Sequence, residues 1–101
     1  MLNPVTLVGA LRSAFTQVAS VETSTTILAA NGNRIGAIIT NTDTAILYLR
    51  LDGGTVTSAN YTVAIAANGT YEMPYQYTGL ITGIWATSSG SGNANITEFT
   101  A

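Results

Sequence analysis

An all-β fold, either an antiparallel β-sandwich or a jelly-roll-like small barrel of about seven or eight strands, is what this chain predicts. Three observations carry that expectation. Short stretches alternate with a period of two: in 45–51, Ala45, Leu47, Leu49 and Leu51 share one face while Ile46, Tyr48 and Arg50 share the other. Turn residues recur between these stretches, among them Asn31-Gly32, Asp52-Gly53-Gly54, Asn68-Gly69 and the Ser/Gly-rich run 88–93. No long stretch holds a helical period. The 101 residues suit one domain, large enough to bury roughly 60–70% of its unfolded surface.

Residues 1–16 read as an N-terminal arm, extended or short-helical, preceding a single β domain over 17–101. Leu7, Leu11 and Phe15 recur at every fourth position, and leaving them in water is wasteful, so they are expected to pack on a neighbouring subunit. A cleaved secretion signal is not expected, because no positive segment precedes the apolar run and Arg12 directly follows it.

A weak strand at 18–21 and a β-branched strand at 25–29 come next, then the Asn31-Gly32 turn. Stretches 35–41 and 45–51 read as a hairpin about Asn41-Thr42-Asp43-Thr44, whose side chains tolerate turn geometry. In its first strand Ile35, Ala37 and Ile39 share a face. Residues 55–60 form a polar loop, 61–67 alternate again, and Asn68-Gly69 turns the chain into a strand at 70–73 that ends at Pro74. Stretch 80–87 sets Ile81, Gly83 and Trp85 on one face, and 95–100 closes the domain.

Composition excludes several chemistries. The chain has no Cys and no His, which removes disulfides, thiolates, Cys/His metal sites and imidazole acid–base work. Without His or Lys, a Ser or Thr nucleophile lacks its ordinary activating base, so no enzyme, cofactor or metal site is expected. Asp43 and Asp52 fall in separate turns and make no carboxylate pair. A net charge of −2 argues against nucleic acid as a partner, and no apolar run is long enough to cross a membrane as a helix. Charged residues make up 8% of the chain, against about 25% in ordinary soluble domains. Sheets that lack edge charges invite pairing with other chains, so other copies or a larger assembly are expected to cover this surface. The aromatics Tyr48, Tyr61, Tyr71, Tyr75, Tyr77 and Trp85 read first as core or interface residues and second as a sugar-stacking platform.

The order of short motifs carries a resemblance. Arg34-x-Gly36 and Asn41 are followed by Leu47-Tyr48-Leu49-x-Leu51 and Tyr61-x-Val63. Tyr71-Glu72-x-Pro74, Tyr77-x-Gly79, Gly83-Ile84-Trp85 and Thr97-Glu98-Phe99 complete the series. Over about residues 28–100 this resembles small structural proteins encoded among tailed-phage virion genes. The resemblance implies a β-sandwich virion protein, a head decoration (cement) protein on the capsid exterior, assembled in the host cytoplasm. Its partners would be the major capsid protein and copies of itself, a trimer by analogy of architecture. Expected partner contacts are Leu7, Leu11 and Phe15 on the arm, with Tyr48, Arg50, Tyr75 and Tyr77 on the domain. The alternatives are a tail- or fibre-associated receptor- or carbohydrate-binding module and a low-copy head–tail completion protein.

Overall fold

The computed structural model describes residues 10–73 and 76–101. Leu7 and Tyr75, named above as contact residues, lie outside them, as does Pro74. Among the described residues the chain forms eight strands: β1 (Arg12–Ala19), β2 (Thr25–Leu28), β3 (Arg34–Asn41), β4 (Leu47–Arg50), β5 (Val63–Ile65), β6 (Thr70–Glu72), β7 (Ile81–Trp85) and β8 (Asn93–Thr100). They build two antiparallel four-stranded sheets, one in the order β1-β8-β3-β6 and the other β2-β7-β4-β5. Strand one pairs with eight, two with seven, three with six and four with five, as in one long hairpin folded at the β4–β5 connection and wrapped on itself. Further pairs β3–β8 and β4–β7 knit each sheet together. This is the strand order of a jelly roll, so the expected all-β sandwich is the fold.

The core lies between the sheets and follows the period-two pattern. Ala37, Ile39, Ala94 and Ile96 project from the first sheet, and Ile27, Leu47, Leu49, Ile65, Ile81 and Trp85 from the second. Gly83 has its place in this layer because a Cβ there would meet the Ile27 side chain at 2.6 Å. Between Thr26 and Leu28 a bulge breaks the alternation of β2, so adjacent Ile27 and Leu28 are both buried.

Three sequence expectations need correction. Stretches 35–41 and 45–51 are not a hairpin: β3 lies in the first sheet and β4 in the second, so 42–46 crosses between layers. The two Asn-Gly turns also cross layers rather than closing hairpins, and Asn68 supplies the left-handed residue with φ of 63°. Two strands with one aliphatic face each bury those faces equally well side by side or across a core, and a turn motif does not distinguish the cases. The second correction concerns β3, where a bulge between Arg34 and Gly36 shifts the register by one. Arg34 therefore takes the inward position assigned to Ile35, and Ile35 is half-buried. The third concerns the arm: its residues from Arg12 onward belong to β1, paired with β8 along the full strand.

Candidate functional site

The chain's charged side chains are largely committed to architecture. Arg34 is fully buried where β3 begins. Its Nε donates to Glu98 Oε2 at 2.7 Å, Nη1 to the carbonyls of Tyr77 and Gly79, and Nη2 to the carbonyl of Ala29. One guanidinium thus ties β8 to the connections flanking β2 and β7, with an opposite charge to offset its desolvation. Tyr77, expected on a contact surface, is half-buried in this arrangement; it packs on the core and donates its hydroxyl to the Leu80 carbonyl.

At the opposite end Asn41 is fully buried and serves as a hub. Its amide donates to the carbonyls of Ala45 and Ile65, and its side-chain oxygen accepts from Asp43 N–H and from Trp85 Nε1, each at 3.0 Å. Trp85, buried in the core, is therefore no sugar platform. Asp43 is buried beside it. The Ala45 N–H, the hydroxyls of Ser20 and Ser89 and the Ser89 N–H hold its carboxyl well below the usual carboxylate range, in that order of effect, against the opposing effect of burial.

Among the described residues two exposed regions stand out for contact. The first is the outer face of the β1-β8-β3-β6 sheet. Cross-strand partners there form the row Phe15, Thr97, Ile38, Glu72, flanked by Ser13, Phe99, Gly36 and by Gln17, Asn95, Thr40, Thr70. Phe15 is 61% exposed and Leu11, just before the strand, 84%. One carboxylate, Glu72, appears in these rows, and Gln17 donates to Asn95 across them. A face of Thr, Asn and Gln around a few apolar side chains offers area with little desolvation of charge.

The second region lies on the outer face of the other sheet. Residues 51–62 double back across that face: the Gly54 carbonyl accepts from the Thr82 hydroxyl, Val56 N–H donates to Ser24, and Val56 is buried beneath the segment. Arg50 pins it, donating from Nε to Asp52 at 2.7 Å and from Nη1 to the Thr55 carbonyl. The guanidinium packs against Gly54, where a Cβ would sit 2.7 Å from its central carbon. This pairing holds the Asp52 carboxyl below its ordinary value and raises that of Arg50. Arg50, Asp52, Asn60, Tyr61 and Thr62 line a shallow cleft of about 240 Å³. Tyr61 tilts against Tyr48, with ring centroids 4.8 Å apart and an angle of 53°.

The expected contact residues thus divide. Leu11 and Phe15 mark one surface, Tyr48 and Arg50 border the other, and Tyr77 belongs to the packing at the Arg34 end. Sequence reading missed Asn60 and Thr62 as cleft residues because Asn60 ends the polar loop 55–60 and Thr62 reads only as one face of the alternating stretch 61–67. Their one available signal was proximity to Tyr61.

Among the described residues these features define an eight-stranded jelly roll with one sheet face uncovered and one partly covered by the chain's own loop. No family model, curated protein or solved structure matches the chain.

Proposed function

We propose that this protein is a bacteriophage virion structural protein, a head decoration protein that sits on the capsid exterior and bridges shell subunits. The observation that carries the reading is the nearly uncharged outer face built around Phe15, Ile38 and Phe99, which no other described residue covers. It accords with the motif order in the sequence and with work that needs contact area rather than a reactive centre. Weak contacts of this kind, repeated over a lattice, add to strong attachment.

Copy number in purified particles tests the proposal, measured by quantitative mass spectrometry against the most abundant shell protein. A ratio near one or a simple fraction is expected, and absence from particles overturns the reading. Phe15→Asp combined with Ile38→Asp should abolish rebinding to stripped shells while the fold is retained.

The Tyr61 cleft favours a second reading, a carbohydrate-binding module on a tail or fibre. Aromatic Tyr61, the Asp52 carboxylate, the Arg50 guanidinium and the Asn60 amide are the groups that stack on and hydrogen-bond to sugars. Dose-dependent glycan-array binding that is lost in Tyr61→Ala, with only a few copies per particle, would decide for it.

A further inference from the structure

The four edge strands of the sandwich are unequal. β5 and β6 have three residues each and β2 has four, whereas β1 has eight. Short edges are one of the ways proteins avoid unwanted pairing, and the others are Lys, Pro, bulges and inward charges. From Ser13 to Ala19 β1 uses none of them. It has no Lys or Pro, its register with β8 is unbroken from Arg12 to Ala19, and its one charge is Arg12 at the very start.

Its hydrogen-bonding groups are placed for a partner. Ser20 N–H donates to the Gly92 carbonyl, which makes Ala19 and Asn93 a pair without mutual hydrogen bonds. By alternation, Val18, Thr16, Ala14 and Arg12 direct their backbone groups to β8, and Ala19, Gln17, Phe15 and Ser13 direct theirs away from the sheet. Among the described residues, β8 is the sole strand that pairs with β1. On the same side of the sandwich, among the described residues, Thr16, Val18, Ile27, Leu28, Ala29 and their neighbours line a groove of about 380 Å³ between β1 and β2.

Charge selects the occupant. Arg34 and Arg50 each have a carboxylate partner within the chain, while Arg12 has none among the described residues. The nearest acid to this edge along the chain is Glu22, just beyond the other end of β1. A second β1 running antiparallel therefore brings each Arg12 towards the other copy's Glu22, and a parallel one would set Arg12 beside Arg12.

We propose that β1 pairs antiparallel with β1 of a second copy of this chain, joining two four-stranded sheets into one continuous sheet about a two-fold axis. The register that uses every outward group places Thr16 opposite the partner's Thr16, Phe15 opposite the partner's Gln17, and Ser13 opposite the partner's Ala19. The contact is isologous, so the unit is a dimer rather than the trimer that architecture alone suggests. The inference concerns the isolated protein and does not depend on the virion reading.

The test uses the full chain in solution, with sedimentation or light scattering for mass and amide exchange by NMR for the edge. A dimer is expected, with the amides of Ser13, Phe15, Gln17 and Ala19 losing protection on dilution while those facing β8 keep theirs. Gln17→Pro removes an outward backbone donor and spares the backbone ladder to β8, losing only the exposed side-chain bond to Asn95, and should give a monomer with unchanged Trp85 emission. Phe15→Lys serves as the second variant should the proline disturb the strand. Arg12→Glu should weaken the dimer, and Glu22→Arg added to it should restore it. Removing residues 1–9 should leave the dimer intact. A monomer at high concentration overturns the proposal, as does a trimer, a dimer indifferent to both edge variants, or edge amides protected in a monomer by the chain's own first residues.

Discussion

The two ends of this sandwich solve the same problem with opposite chemistry. Each must join the sheets where strands stop and connections begin, and each does so with a fully buried polar side chain from β3. At the start of β3 the group is a cation, Arg34, and at its end it is a neutral amide, Asn41. The cation reaches three backbone carbonyls and one carboxylate. The amide reaches carbonyls with its nitrogen and an N–H and an indole with its oxygen, leaving the charge to neighbouring Asp43. A guanidinium spans connections that lie far apart, whereas an amide needs its partners close. Arg34 accordingly joins the connections 29–33 and 73–80 to β8, and Asn41 joins the turn 42–46 to the end of β5.

The comparison breaks most sharply at the cation. Arg34→Ala strands a carboxylate and three carbonyls, and should cost about 3–5 kcal/mol in chemical denaturation. Replacing both partners, Arg34→Met with Glu98→Leu, should recover much of that loss, because no uncompensated charge is left behind. A double variant as unstable as the single one would mean that the carbonyl contacts outweigh the ion pair.

Asn41→Ala comes next. It leaves the Trp85 indole N–H, the Asp43 N–H and the carbonyls of Ala45 and Ile65 without this partner, at about 1–3 kcal/mol for a stranded group. Such costs do not simply add, and because every stranded group is neutral the expected loss is somewhat smaller than at Arg34, with a shift in Trp85 emission that Arg34→Ala does not produce.

Gly92→Ala probes the packing around Asp43. An added Cβ would sit 2.4 Å from the Asp43 Cβ, so the two connections must separate. A loss of about 1–3 kcal/mol is expected, typical of an overpacked site.

The smallest effect is a pH dependence confined to the Asn41 end. Asp43 has its folded-state pKa depressed below the ordinary 3.8. Its stabilising contribution is therefore complete above that value and is lost as pH falls below it towards the folded-state value. Asp43→Asn should be less stable than the parent at neutral pH, with the gap narrowing in acid. A constant gap between pH 7 and pH 3 would show that the carboxylate charge contributes nothing.

Much of the fold was legible before any coordinates. Alternation placed Leu47, Leu49, Ile81 and Trp85 on the inside and Tyr48 and Arg50 on the outside, because a strand's faces follow from covalent geometry. The candidate site was legible in part. Phe15, Tyr48 and Arg50 stood out by residue type, but the cleft depends on where residues 51–62 return, and nothing local encodes that path.

The sequence by itself determined the class: about seven or eight short stretches, several of them alternating, separated by Gly, Asn and Asp turns, with too few charges to form reactive clusters. Tertiary structure alone decided which strands pair. An Asn-Gly turn reverses the chain equally well within one sheet or between two, and the long-range contacts of β8 and β7 made the choice. It also decided the fate of Arg34. A one-residue bulge turned a side chain that periodicity assigns to solvent into the pivot of one end, and a bulge leaves no periodic trace because it is itself a break in the period.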